Sequence, residues 1–220
     1  MELTEKGKLI EQAAGFLKDT YNMRTLFKER TADKNYRIEH AYRVANIAAE
    51  IGRKEGMDEE ALIIAGLLHD ISYGDRFETH DDWLAHGRKS AQIVRPFLTE
   101  IGMEEDRIQE ICYGIAIHVD GEAGFAGEKT PFALSVEDAD KIDRFDVYRI
   151  YEGLYLDSFR ELSLEEKKMH VAKKLEQFEQ MIKTPLATAA ATTMWVARLG
   201  FQKEYYTRLQ EQLENSLFHF

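Results

Sequence analysis

The sequence predicts an all-α fold. Apolar residues recur at i, i+3, i+4 and i+7 through nearly every long segment. Alternation of β-branched residues is almost absent, and only 3 prolines interrupt 220 residues. Residues 4–30 alternate apolar and charged positions at helical spacing. Residues 36–55 carry the stripe Val44, Ile47, Ala48 and Ile51. "EGMD" then turns the chain, and Asp58 is an N-cap for a helix over 59–70. Residues 84–100 and 104–119 are two further amphipathic helices. Three glycines and a proline make 120–131, "DGEAGFAGEKTP", a loop. A helix follows over about 132–156. Ser163-Leu-Glu-Glu166 is a capping box that opens a helix over 164–182. Thr184-Pro185 stops the chain, and a last helix covers 186–217. The expected organisation is one domain over 1–220, centred on about 30–160, with 161–220 as packing helices.

Composition narrows the function classes. With 44% hydrophobic and 31% charged residues the chain reads as soluble and globular. The single Cys112 cannot form an internal disulfide, which suits a reducing cytoplasm. The N-terminus carries no secretory pattern, and no apolar run reaches the roughly 18 residues that span a bilayer. A formal net charge of −11 opposes coating of nucleic acid polymers. It leaves room for a small anionic substrate held by a few local cations.

The chemistry lies in "ALIIAGLLHDISYGD", residues 61–75, where an apolar run ends in His69-Asp70. Burying an imidazole and a carboxylate without partners costs several kcal/mol, about 2–7 for a neutral polar group and more for a charge. His40 stands on the stripe of Val44, Ile47 and Ile51. His69 stands on that of Leu62, Ala65 and Gly66. His86 precedes Ser90, Ile93, Val94 and Phe97 at helical spacing, and His118 follows Ile108, Ile111 and Ile115. Asp140 shares a face with Val136 and Val147. A lone histidine on an apolar face is usually a hydrogen-bonded core residue. Five inward groups on five helices, one with an adjacent acid, need a common partner, and a metal provides it. Imidazole and carboxylate suit divalent Mn, Fe, Co, Ni or Zn. Adjacent residues at a helix end diverge by about 100°, so Asp70 can bridge two ions or bind one beside His69.

The order His40 … His69-Asp70 … Asp140, with "AGLLHDI" and "EDADKIDR" around it, resembles the HD-domain superfamily of metal-dependent phosphohydrolases. The resemblance covers about residues 36–150 and implies an all-α helical bundle. It implies that His40, His69, Asp70 and Asp140 bind a first metal, with Asp140 rather than Asp138 as the second Asp of "D-A-D". "HGRKSA" at 86–91 and the His118 helix end are similar to the extra histidines of the dinuclear members. His86 and His118 would complete a second metal position, or contact substrate or water beside a single ion.

Phosphoryl transfer needs cations for the equatorial oxygens. Arg43 and Lys89 lie three residues after His40 and His86, and Arg144 lies four after Asp140. Lys141 matches a family position that touches substrate phosphate. Arg43 and Lys141 rank first. The connection 71–87 is long, which favours a functional loop. Asp75 on it is the candidate general acid, and His80 reads as a solvated loop residue. Loop 120–131 is a lid or a plain connection. Tyr148, Tyr151 and Tyr155 form a stripe that reads as core, or as a platform for a base. The expected substrate is a small phosphate ester, a nucleotide by preference. Two alternatives stand beside hydrolysis: a mixed-valent di-iron oxygenase and a non-catalytic nucleotide-binding module. The last helix, with Trp195, Phe201, Tyr205 and Tyr206, packs on its own core or on a second copy.

Overall fold

The computed structural model describes residues 5–216. The outermost residues of the two expected terminal helices, 4 and 217, lie outside that range. Among the described residues there are eleven α-helices, two short 3-10 turns and no strand. No described helix is long and apolar enough to cross a membrane. The chain divides into two compact units, Met1–Asp140 and Lys141–Phe220.

The first unit holds α1 (Glu5–Met23), α2 (Thr25–Glu29), α3 (Thr31–Glu55), α4 (Glu59–Leu68), α5 (His80–Leu84), α6 (His86–Glu100), α7 (Glu105–Ile117) and most of α8 (Pro131–Arg144). α4 is its centre: Glu60, Ala61, Leu62 and every residue from Ile64 to Leu68 are buried. Small residues set how closely its neighbours approach. A Cβ on Gly66 would lie 2.8 Å from the Ala45 backbone on α3, and one on Gly114 of α7 would lie 3.2 Å from Ala133 on α8. Any side chain at either place forces packed backbones apart. Phe16 of α1 stacks on Phe97 of α6 at 4.1 Å. Asp58 caps α4 by accepting from Ala61 N at 3.1 Å.

Several boundaries differ from the sequence reading, three of them near the site or at a break in an expected helix. The expected 4–30 helix breaks at Arg24, whose backbone is extended. The expected 132–156 helix breaks before Asp146, also extended, whose side chain caps the next helix. α4 ends two residues early, because His69 and Asp70 leave the helix to serve the site described below.

The second unit holds α9 (Val147–Leu156), α10 (Leu164–Met181) and α11 (Ala189–Glu214). The Ser163–Glu166 capping box opens α10. Thr188 caps α11 by accepting from Ala191 N at 3.1 Å. Phe145 packs edge-on against Trp195, and the Gln202 amide donates to Phe145 O at 2.7 Å. Trp195 and Tyr206 are buried, whereas Phe201 and Tyr205 are exposed. The core reading of the tyrosine stripe is corrected: Tyr148, Tyr151 and Tyr155 are all exposed, at 46%, 70% and 75%. α9 is short, and Ile150 is its one buried residue.

Candidate metal centre

Helix ends build the site. The last carbonyls of a helix lack intrahelical partners. His69 follows the last residue of α4, and its Nδ1 lies 2.8 Å from Gly66 O. His118 follows the last residue of α7, and its Nδ1 lies 2.6 Å from Ile115 O. His86 opens α6, and its Nδ1 lies 2.5 Å from Trp83 O. Each imidazole thus uses Nδ1–H on a carbonyl three residues back. With Nδ1 so engaged, each Nε2 turns toward the centre, where it accepts when the ring is neutral and donates when the ring is charged.

Asp70 stands between them. Its Oδ2 lies 3.7 Å from His40 Nε2 and 3.5 Å from His69 Nε2. Its Oδ1 lies 3.1 Å from His86 Nε2 and 3.5 Å from His118 Nε2. Asp140 reaches the first side only, 3.2 Å from His40 and 3.9 Å from His69. Two overlapping donor groups result: His40, His69 and Asp140, and His69, Asp70 and His118. His86 adjoins the second, 3.2 Å from His118. Asp138 is buried but belongs to neither group.

The donors fit a divalent ion. His69 is fully buried, and its Nε2 has no hydrogen-bond partner. Such an atom costs about 1–3 kcal/mol when nothing fills it. Burial pushes the His69 ring down to about 4, so it is neutral at physiological pH and its lone pair is available. Burial alone would raise the Asp70 carboxyl. His69, the hydrogen bonds with His118 and His86, and Arg37 outweigh it and hold Asp70 well below the usual range. With His69 uncharged, that task falls to the other three. At His118 burial disfavours the charged ring, but the Asp70 hydrogen bond and the charges of Asp70 and Asp140 raise it overall.

Arg37 was missed by the sequence reading. Its guanidinium pairs with Asp70 Oδ2 at 2.9 Å and lies 3.5 Å over the Tyr73 ring. The sequence does carry a signal for it: Arg37 is one turn before His40, and a cation one turn before a ligand shares its face as well as one that follows it. Tyr21, buried in α1, donates its hydroxyl to Asp70 O at 2.8 Å. Nothing local in the sequence marks that contact, which spans 49 residues.

The other named residues are placed as follows. Asp75 pairs with Arg24 at 2.8 Å and is outside both donor groups. Arg43 lies 5.9 Å over the Tyr36 ring, which stacks in turn on His40. Lys89 pairs with Asp82 at 2.8 Å. Lys141 follows Asp140 in the last turn of α8, and Arg144 ends that helix. His80 is exposed and stacks on Trp83. Loop 120–131 is tied down: Arg88 binds Asp120 at 2.8 Å, and Gly127 sits on the Tyr113 ring, where a Cβ would come within 2.1 Å.

Residues 37–145 match the family model "HD domain". A predicted HD superfamily hydrolase from an uncultured Thermotogales bacterium, solved as a crystal structure, superposes with a TM-score of 0.62. The likeness covers 92% of this chain and 91% of that one at 19% identity, which establishes a shared fold. No curated protein matches the sequence. HD domains bind divalent metals, and the buried His/Asp groups found here are able to hold one. Residues 37–145 of this chain thus carry an HD domain.

Proposed function

We propose that this chain is a metal-dependent phosphohydrolase acting on a small phosphate ester, with a nucleotide as the preferred substrate class. The observation that carries the reading is His69 Nε2, fully buried, unpartnered and opposite the Asp70 and Asp140 carboxylates. His40, His69, Asp70 and Asp140 would hold a first divalent ion. Asp70 Oδ1, His118 and His86 would hold a second. An ion bound there lowers the pKa of a coordinated water and polarises a phosphoryl oxygen.

The remaining roles belong to the chain. Its Nδ1 bonds to backbone carbonyls keep three imidazoles in one orientation. Arg37 keeps the Asp70 carboxylate ionised and in place. Arg43 and Lys141, each near a proposed ligand along its helix, receive phosphate oxygens. Asp75 protonates the leaving oxygen, which requires its pair with Arg24 to open first.

The test has two parts. Elemental analysis of protein purified without added metal or chelator gives equivalents per chain, with one or two expected. Phosphate release is then followed with Mn, Co or Ni, using nucleoside monophosphates, triphosphates and a non-nucleotide ester. Failure to retain any of these metals ends the proposal. Mostly iron with oxygen consumption replaces the hydrolase by an oxygenase. Tight nucleotide binding without turnover under every metal replaces it by a binding module.

A further inference from the structure

His86 comes to the centre on the first turn of α6. Its Nε2 lies 3.1 Å from Asp70 Oδ1 and 3.2 Å from His118 Nε2. That closeness requires α6 to be held against both the segment after Asp70 and the end of α7. Ala85, which precedes α6, offers no side-chain cap. Two buried features outside the donor groups hold the helix start instead.

The first is a pair of serines. Ser72 stands two residues after Asp70 in the turn Ile71–Gly74, and Ser90 stands one turn after His86 on α6. Both are 0% exposed. The Ser72 backbone N–H donates to Ser90 Oγ at 3.2 Å, and Ser90 Oγ donates to Ser72 Oγ at 3.0 Å. Ser72 Oγ donates in turn to His86 O at 2.9 Å. Each hydroxyl thereby spends its one proton inside the network. A helix interior closes its own backbone bonds, so α6 needs none of these to form. What they do is tie the His86 backbone to the segment that carries Asp70.

The second feature is Gly87, next to His86. A Cβ there would lie 2.7 Å from Ala116 O, 2.8 Å from Ile115 O and 3.1 Å from His118 Nδ1. The two oxygens are backbone atoms of α7 and cannot swing aside. Ile115 O is also the carbonyl that orients the His118 ring. A methyl at this place would push the start of α6 off the end of α7 and disturb His118 as well.

We propose that Ser72, Ser90 and Gly87 are positioning residues for a second divalent ion, fixing His86 against Asp70 and His118. The inference rests on the two-ion form of the reading above. His40, His69 and Asp140 stand on α3, at the end of α4 and on α8, away from all of these contacts. The ion on their side is therefore not served by the three residues.

Cobalt(II) titration of the metal-free, full-length protein tests this, with bound equivalents read by equilibrium dialysis and visible absorption. The parent should take two. Ser90→Ala should weaken the second equivalent about 10–100-fold, the usual cost of losing a group that orients a ligand, and leave the first unchanged. Gly87→Ala should bind one equivalent only, as is expected of His86→Ala. Ser72→Ala removes the link to His86 but leaves the Ser72 N–H on Ser90. It should also weaken the second equivalent alone, and it stands in if either other variant misfolds. A role confined to the fold would instead lower both equivalents and the melting temperature together. A parent that takes up no cobalt overturns the metal-centre reading itself. A parent that takes one equivalent, or folded variants that keep the second equivalent or lose both alike, overturn the positioning role and leave that reading standing.

Discussion

The two compact units treat polar side chains in opposite ways. In Met1–Asp140, four imidazoles and two carboxylates are buried together, none more than 6% exposed. In Lys141–Phe220, charges sit mainly in separate pairs near the surface, such as Lys203–Glu179 and Arg149–Glu152, and several aromatic rings face outward. A solvated pair costs little and contributes little, about 0–1 kcal/mol. A buried cluster costs several kcal/mol unless its members share a partner. The difference teaches where to look for chemistry: at the polar groups that the fold conceals.

The largest effect should come from the middle of that cluster. Asp70→Ala removes the group that faces both pairs of histidines, so bound metal and hydrolysis should both be lost. Losing a group that merely orients a metal ligand costs about 10–100-fold in affinity, so losing this residue should exceed about 100-fold. Metal retained at parental level by folded Asp70→Ala would break the contrast between the units. His86→Ala should remove one equivalent from a two-metal centre and none from a one-metal centre.

Arg37→Met comes next. It keeps the bulk over Tyr73 but frees Asp70 Oδ2, so metal affinity should fall about 10–100-fold with little change in melting. Equal losses in affinity and thermal stability would mean that Arg37 merely supports the fold.

Acid should separate the two sides of the centre. Protons and metal compete for the same nitrogens. His118 is raised above its ordinary value of 6.5, whereas His69 is lowered to about 4. As pH falls, His118 is therefore protonated first. Metal content should drop from two equivalents towards one below neutrality, before the His40, His69 and Asp140 side lets go. Release of both ions in a single step would show that the sides do not titrate separately. For folding of the metal-free chain, the lowered His69 contributes stability present above about 6.5 and lost as pH falls towards 4. The raised His118 acts oppositely, stabilising at low pH and losing that contribution as pH rises.

The smallest effect is expected on the outward face of α9. Tyr155→Ser should change unfolding free energy by less than about 0.5 kcal/mol, because that ring is 75% exposed. A larger loss, measured by urea unfolding, would place the ring inside an assembly and blur the contrast drawn above.

Much of this was legible in the sequence because it rests on local geometry. Helical periodicity depends on neighbours within four residues, as do the Asp58 cap and the Ser163–Glu166 box. The same spacing put His40, His69, His86, His118 and Asp140 on inward faces, and the order His40, His69-Asp70, Asp140 carried the family. Two readings failed for a local reason as well. Arg24 and Asp146 interrupt helices without a glycine or proline to announce the break.

The rest is decided by residues far apart in the chain. Only the packing of α3, α4, α6 and α7 shows that one Asp70 oxygen faces His40 and His69 while the other faces His86 and His118. Only it brings Arg37 to Asp70, Tyr21 to the Asp70 carbonyl and Arg24 to Asp75. The exposure of Tyr148, Tyr151 and Tyr155 follows from which side of α9 meets its unit, and a tyrosine fits either side. The sequence by itself determined which residues are able to meet. The tertiary structure decided which do, because a contact across 30 or more residues depends on how whole helices pack, and no short-range pattern encodes that.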